Sequence, residues 1–174
     1  MDDIVKQALI KWPNVPDCRG WLGLDMRGNW WLRDAQVQAQ GPFPQSKGSL
    51  VEHAKLLAFI ARNYEVDAQG QWFFQNGPQR VYVELENAPM VWRVQAGGAV
   101  VSHTDVPVQR VQGCWMDELG CVYLQCDGVL GSVHSQDMVH VAEMVESGQW
   151  TAQEVLWQAL PQQFGFVRSP QLEV

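Results

Sequence analysis

Two glutamates come closest to a catalytic pair in this chain. Glu84 and Glu86 are two positions apart in a run that is typical of a strand, so both carboxylates are predicted on one strand face. Two like charges side by side can raise the pKa of one carboxyl group enough for general acid–base chemistry. A solvated strand face, or neutralisation by Arg80 or Arg93, explains the same pair more simply, and we favour that interpretation. A small enzyme that uses this pair or His53 is the alternative.

Other signatures of catalysis or cofactor binding do not occur in the sequence. The 4 histidines lack the H-E-x-x-H spacing of a zinc site, the cysteines form no C-x-x-C pair, and there is no G-x-S-x-G nucleophile motif. Lys47, Gly48 and Ser49 precede a predicted helix, but they do not follow the order of a phosphate-binding loop. The sequence therefore predicts no cofactor and no metal site, and it favours a protein without catalysis.

The acidic charge of the chain excludes whole classes of partner. There are 12 Lys and Arg against 19 Asp and Glu, which gives a formal net charge of −7. A phosphate backbone or an anionic membrane surface would be repelled, so neither nucleic acid nor membrane is expected as a partner. The start of the chain is acidic, no apolar signal core follows, and the apolar run at residues 56–61 is too short to span a bilayer. We therefore expect a cytoplasmic protein whose cysteines remain thiols.

Three stretches of the chain repeat one hairpin. Residues 24–32, 66–74 and 116–124 share the pattern apolar-Asp-x-x-Gly-x-apolar-aromatic-apolar. Asp in the first turn position and Gly in the fourth favour a type I turn, with the Gly in the left-handed conformation of a bulge that restores strand pairing. The turns are separated by unequal intervals, which argues against a propeller or a solenoid.

The strand after each turn has two different faces. The first face is apolar in every copy and is predicted to belong to the core. The second face places one aromatic residue among mostly polar ones: Trp31, Phe73 and Tyr123. Such an aromatic usually packs beneath a helix, and the alternative is an exposed recognition surface.

Hydrophobic periodicity predicts the remaining elements. Helices are expected at 2–12, 50–63 (Ser49 as N-cap), 135–146 (Ser135 as N-cap) and 151–160, the last opened by a Thr-Ala-Gln-Glu capping box. Strands are expected at 80–85, 90–95, 99–103, 106–111 and 129–133, and a loop at 36–49.

These elements define the predicted fold class. It is α+β, with duplicated β-hairpin-plus-helix units and a mainly antiparallel sheet on which the helices pack. We predict an N-terminal half at 1–79, with a helix, a hairpin-helix unit and the second hairpin. The C-terminal half at 80–174 has an antiparallel sheet, a hairpin-helix unit and a last helix, and the two halves are expected to pack as one globule.

Several of these motifs also resemble a known family. They are Gly28-Asn29-Trp30, the helix region 50–64, Asp67-x-x-Gly70-x-Trp72, Gly77-Pro78, and the run from Val83 to Pro89. Together, over residues 20–146, they resemble an uncharacterised proteobacterial family of unknown function, or a sister family of it. Its motifs are G-x-W, D-x-x-G-x-Y and V-E-D-A-P, and Asn87 stands where the family favours Asp. The resemblance implies a duplicated α+β core, a C-terminal half loosely similar to pleckstrin-homology folds, and a signalling or partner-binding role without known catalysis.

The leading functional hypothesis is a non-catalytic bacterial binding or regulatory protein. It would act through a protein partner or a small ligand at the interface of its two halves, where the polar loop 75–80 joins them. The small enzyme, with its chemistry in the cleft between the halves, is the first alternative, and a glycan-binding module is the second. The candidate site residues are Trp31, Arg33, His53, Phe73, Gln75, Asn76, Arg80, Glu84, Glu86 and Tyr123.

Overall fold

The computed structural model describes residues 1–170 and separates into two compact units. The first unit contains Met1–Asp25, Asn29–Glu86 and the segment from Phe166 onward. The second contains Met26–Gly28 and Asn87–Gly165. Each unit has one six-stranded sheet, mostly antiparallel, with helices beside it. The α+β class and the duplicated-unit architecture predicted from the sequence are therefore confirmed.

The first unit is built around a sheet with the order β3-β2-β1-β6-β5-β4. Its strands are β1 (Cys18–Leu24), β2 (Trp30–Leu32), β3 (Ser49–Leu50), β4 (Tyr64–Val66), β5 (Trp72–Asn76) and β6 (Gln79–Leu85). Its helices are α1 (Asp3–Lys11), α2 (Ala35–Gln40) and α3 (Ala54–Arg62). Strands β1 and β6 run parallel, and the other neighbours are antiparallel.

An aromatic core packs α3 against this sheet. The Phe59 ring of α3 meets Phe74 of β5 edge-on at 5.4 Å, and Tyr64 contacts both Trp30 and Trp72 at about 5 Å. Edge-to-face and tilted pairs of this kind add to the free energy of burying the rings. The nine tryptophans therefore serve in part as core residues.

The second unit has the sheet order β12-β9-β10-β11-β7-β8. Its strands are β7 (Met90–Val94), β8 (Val100–Ser102), β9 (Val111–Met116), β10 (Val122–Cys126), β11 (Val129–Val133) and β12 (Ala152–Glu154). Its helices are α4 (Met138–Glu146) and α5 (Leu160–Phe164), with short 3₁₀ turns at Ser135–Asp137 and Trp157–Ala159. The pairs β11–β7 and β12–β9 are parallel. The core lies between the sheet and α4 and includes Trp92, Leu124, Cys126 and Val141.

The prediction of a helix at 151–160 is wrong. Residues Ala152–Glu154 form strand β12, which pairs in parallel with β9, and helix appears only at Leu160–Phe164. The capping box is a local signal, and here an open sheet edge overrides it. The first-face prediction is also wrong at one position, because Leu32 is 48% exposed while Trp30 is buried.

Helix starts and loop contents differ from the prediction as well. Helix α3 begins at Ala54 rather than at 50, because Ser49 and Leu50 pair with β2. Its N-cap is His53, whose Nδ1 accepts the Leu56 N–H, and His134 plays the same part before Ser135–Asp137. The predicted loop 36–49 contains helix α2, and the strand predicted at 106–111 begins only at Val111.

Candidate functional site

The aspartate of each repeated hairpin accepts main-chain hydrogen bonding from its own turn, and in the first copy Asp25 Oδ1 accepts the Asn29 N–H at 2.9 Å. Asp117 Oδ1 accepts the N–H groups of Leu119 and Cys121, each at 2.9 Å, and Asp67 Oδ1 accepts those of Gln69 and Gln71 at the same distance. The glycines Gly28, Gly70 and Gly120 have φ between +78° and +84°, as the predicted bulge requires. The turn chemistry expected from the sequence is therefore confirmed.

The second carboxylate oxygen of each aspartate binds an aromatic side chain. Asp117 Oδ2 accepts the Tyr123 hydroxyl at 2.8 Å, and Asp67 Oδ2 accepts the Tyr82 hydroxyl at 3.1 Å. Asp25 Oδ2 accepts the indole N–H of Trp31 at 2.9 Å. Trp31 and Tyr123 are second-face aromatics, so this face is tied to the turn by a polar contact that the sequence pattern alone did not indicate.

The same backbone turn recurs twice with another residue in place of the first aspartate. Gln95 N–H donates to Ala99 O at 2.8 Å, and Ser102 N–H donates to Val106 O at 3.0 Å. In the second case the Ser102 hydroxyl accepts the N–H groups of Thr104 and Val106, as the aspartates do elsewhere. Both turns lie in the second unit.

A charged cluster covers the Asp25 turn. Lys47 Nζ lies 3.4 Å from Asp25 Oδ2 and 3.5 Å from Glu86 Oε2, and 5.3 Å from the centre of the Trp31 ring. The Asp25 side chain is 2% exposed and that of Lys47 is 34% exposed. The structure thus brings together two predicted site residues, Trp31 and Glu86, around an ion-pair network in which one lysine is shared by two carboxylates.

Arg33 is a structural anchor inside the first unit. It is 1% exposed, and its guanidinium donates to the carbonyl oxygens of Gly20, Gly41 and Ser46 at 2.8–3.0 Å. Burial lowers the pKa of Arg33, and the charge of Glu84 acts in the opposite direction. Glu84 is itself buried and accepts the Ser169 hydroxyl.

Some of the polar side chains in the predicted loop 75–80 make contacts within the first unit. Gln75 is buried, and its Nε2 donates to Gly77 O at 2.9 Å. Asn76 is exposed. Arg80 extends over the buried Phe73 ring at 4.8 Å. Tyr123 is fully buried, and His53 is exposed at the start of α3, where it acts as an N-cap.

The cysteines of the chain are thiols, as the sequence predicted. No disulfide joins Cys18, Cys114, Cys121 and Cys126, which are buried or half-buried thiols. Burial raises the pKa of Cys114 to about 11 and that of Cys126 to about 12, with a smaller effect of Asp127 on the latter. These two thiols are therefore unreactive at neutral pH.

A pocket of about 400 Å³ opens beside the Asp117 turn in the second unit. It is lined by Met116, Asp117, Glu118, Glu154, Val155 and Leu156. The end of β9 and the Asp117 turn form one side of the pocket. The end of β12 and the two residues that follow it form the other side. Apolar side chains at and beside the pocket are open to solvent, since Leu156 is 64% exposed and Met116 is 44% exposed.

Hydrogen bonds connect the chain segments that line this pocket. Glu118 Oε2 accepts the Trp157 N–H at 2.9 Å, and the Trp157 indole N–H donates to Asn87 Oδ1 at 2.9 Å. The Val155 N–H donates to Met116 O at 3.0 Å, which joins the two sides of the pocket through the backbone. The site is thus preformed by hydrogen bonds that leave its apolar side chains uncovered.

The third residue of the turn beside the pocket is apolar, unlike its counterparts in the other two copies. Leu119, the third residue of the turn, is 77% exposed, where the other copies have Arg27 and Gln69. The turn itself is closed by main-chain groups and Asp117, so it does not require an apolar residue there. The pocket was missed at the sequence level, and the exposed Leu at this turn position is the signal that could have revealed it.

A second cavity in the same unit is polar. Its volume is about 500 Å³, and its lining includes Arg93, Ser102, Asp137 and His140. Arg93 binds Asp137 through two hydrogen bonds of 2.6 and 3.0 Å, and this pairing lowers the pKa of Asp137. Arg93 and Asp137 neutralise each other, and the carboxylate of Asp105 also lines the cavity.

Residues 1–170 contain neither a metal-binding cluster nor a membrane-spanning helix. No group of three or more His, Cys, Asp or Glu side chains in that range could hold a metal ion. Over the same residues, no helix has the length and apolar character needed to cross a membrane.

A family model described as a protein of unknown function (DUF2946), with the family name DUF2944, matches residues 1–171. The chain belongs to this family. The expectation of an uncharacterised family is therefore confirmed. No curated protein matches the chain.

Two solved structures resemble the fold. A DUF1285 family protein from Silicibacter pomeroyi DSS-3 is 11% identical, with a TM-score of 0.51, and the match covers 83% of this chain and 85% of that one. Another, from Shewanella baltica OS155, is 14% identical, with a TM-score of 0.49 and coverage of 71% and 91%. At 11% identity, the similarity to the Silicibacter pomeroyi protein concerns the fold alone.

Proposed function

We propose that this protein is a non-catalytic binding protein whose second unit holds an apolar side chain of a protein partner in the Met116–Leu156 pocket. The observation that carries the proposal is the exposure of Leu119, Leu156 and Met116 around a preformed pocket. Exposed apolar groups that cluster at a cavity are typical of interaction sites, whereas isolated ones are not. A regulatory role in the cytoplasm is part of the proposal, and the thiol state of the cysteines supports that compartment.

The energy available in this pocket suits the binding of one anchor residue. Full burial of a Leu, Phe or Met side chain contributes about 1.5–3 kcal/mol. Such an anchor accounts for a tenfold or larger change in affinity, since about 1.4 kcal/mol corresponds to a factor of 10. A partner would therefore depend strongly on the pocket, although other contacts would supply the rest of its affinity.

Panning of a random linear peptide library against the whole protein tests this proposal. The pocket variant is Met116→Gln with Leu156→Ser, and the turn variant is Leu119→Arg, which installs the residue of the first copy. We expect peptides enriched on the wild type to carry an apolar anchor and to lose at least about tenfold in affinity for the pocket variant. Leu119→Arg is expected to weaken binding while it changes stability by less than about 0.5 kcal/mol, because the residue is exposed.

The matched control is Ile10→Ser with Val139→Ser, which removes two apolar side chains exposed elsewhere, on α1 and α4. This control should bind the enriched peptides as the wild type does. The proposal is overturned if no peptide is enriched, or if the enriched peptides bind the folded pocket variant with unchanged affinity. Far-ultraviolet circular dichroism and urea titration of each variant establish that it is folded.

A further inference from the structure

Strand β12 leaves one edge of the second sheet open next to the pocket. It is the outermost strand of that sheet, and all three of its residues are exposed. On its inner side it pairs in parallel with β9, and the Val155 N–H that follows it donates to Met116 O. Because the backbone groups of successive strand residues alternate in direction, those of Ala152 and Glu154 point away from β9.

This open edge and the pocket lie on the same stretch of chain. Glu154, the last residue of β12, and Met116, its register partner on β9, both line the pocket. Partners in register project their side chains to the same face of a sheet. A strand added to β12 would therefore place alternate side chains toward the pocket while its backbone bonds to Ala152 and Glu154.

The chain segment that forms the edge and the pocket carries charge of one sign. The sequence from Val111 to Gly165 contains no lysine and no arginine. Its carboxylates are Asp117, Glu118, Asp127, Asp137, Glu143, Glu146 and Glu154. Three of them, Asp117, Glu118 and Glu154, line the pocket itself. A basic segment is complementary to this surface, whereas a second copy of this acidic chain would bring like charges together.

We infer that the partner is an extended basic segment that adds to β12 as an outer strand, with an apolar residue in the pocket and lysine or arginine on either side of it. This inference rests on the proposed function and specifies the partner. Main-chain hydrogen bonds to an open edge supply affinity, and pockets for alternate side chains supply specificity. The open edge is short, as is usual for sheet edges that do not aggregate.

The test uses a fluorescein-labelled peptide, Thr-Lys-Val-Leu-Thr-Lys-Val, with binding to the whole protein followed by fluorescence anisotropy. In a strand its two lysines and its leucine project to one face. Matched peptides replace both lysines with glutamine or with glutamate. Two further versions carry N-methyl groups on one or the other set of alternate amides, so that only one set faces β12.

The expected results concern both charge and backbone. The dissociation constant should rise from the lysine to the glutamine to the glutamate peptide, by about tenfold or more overall at low salt, and the differences should shrink as salt is added. One N-methylated version should lose at least about tenfold in affinity, while the other binds like the parent, because only one set of N–H groups meets the strand.

Protein variants separate the charge from the pocket. Glu118→Gln with Glu154→Gln should weaken the lysine peptide and leave the glutamine peptide unchanged, since glutamine at 118 still offers an acceptor to the Trp157 N–H. The control is Glu146→Gln, an exposed glutamate on α4 that does not line the pocket. It should change the dissociation constant by less than about twofold, as expected for a screened charge outside the site.

Failure of the inference and failure of the proposed function give different results. If all three charge forms and both N-methylated versions bind equally, and Leu156→Ser abolishes that binding, the pocket binds a partner but strand addition to β12 is wrong. If no peptide binds, or if Leu156→Ser leaves every affinity unchanged in a folded protein, both the proposed function and the inference are wrong.

Discussion

The Asp25 and Asp117 turns share one construction and differ in what surrounds them. In both, an aspartate less than 6% exposed accepts the main-chain N–H four residues later with one oxygen and an aromatic N–H or O–H with the other. At Asp25, Lys47 and Glu86 complete an ion-pair network over the aromatic ring. At Asp117, the aromatic ring is fully buried, and the surrounding surface is a pocket lined by apolar and acidic side chains beside an exposed leucine.

This difference distinguishes the residues that the turn needs for folding from the positions that can serve recognition. The turn needs only its aspartate, its glycine and its main chain, so the remaining positions are available for other roles. In the first copy they hold Met26 and the exposed Arg27, whereas in the third they hold Glu118, which lines the pocket, and the exposed Leu119. Internal repeats thus serve as controls for each other, because a residue that one copy needs only for its fold should recur in the others.

The largest effect is expected from the anchor of the Asp25 region. Arg33→Ala removes the guanidinium that binds three carbonyl oxygens, two of them in the segment that leads to Lys47. Unsatisfied buried acceptors and an unfilled cavity should together cost about 4 kcal/mol of unfolding free energy. Urea denaturation measures this loss. Arg33→Lys should recover little of it, since an ammonium group cannot reach three fixed carbonyls, and near-complete recovery would contradict the assigned role.

A smaller loss is expected from the Asp117 turn itself. Asp117→Ala removes the acceptor of two main-chain N–H groups and of the buried Tyr123 hydroxyl, at a cost of about 3 kcal/mol. The double variant with Tyr123→Phe should be less destabilised than the sum of the two single variants, because both remove the same hydrogen bond. Full additivity in thermal or urea unfolding would show that the Asp117–Tyr123 bond does not stabilise the turn.

The smallest effect concerns the turn that uses Ser102, which contains His103. Burial lowers the pKa of His103 to about 4, and its Nδ1 accepts the Val91 N–H at 3.1 Å. Because the unfolded chain then binds a proton more readily than the folded one, stability is fully present above about pH 6.5. It falls as the pH decreases toward 4, by about 2 kcal/mol at pH 5.

The measurement is urea unfolding between pH 7.5 and 4.5, with His103→Gln as the comparison. The variant cannot titrate at this position, so its stability should depend less on pH over this range, by about the same 2 kcal/mol. Parallel pH profiles of the two proteins would show that another group causes the acid sensitivity.

Most of the local structure was predictable from the sequence, because its causes lie within a few residues. The Asp and Gly of each hairpin determine the turn, and the stripes of apolar residues at helical spacing locate α1, α3 and α4. The α+β class follows from the order of these elements. The resemblance in the G-x-W and D-x-x-G motifs also indicated an uncharacterised family correctly.

Only the tertiary structure determines the burial and the strand pairing of residues whose partners are distant in sequence. The sequence pattern places Arg33 on the mostly polar face of a strand, but the loop from Gly41 to Ser46 packs over its side chain. Residues Ala152–Glu154 carry a helix signal, yet pairing with β9, nearly 40 positions earlier, makes them a strand and creates the pocket. Turn chemistry is local and visible in the sequence, whereas burial and sheet neighbours depend on contacts that form only when the chain is folded.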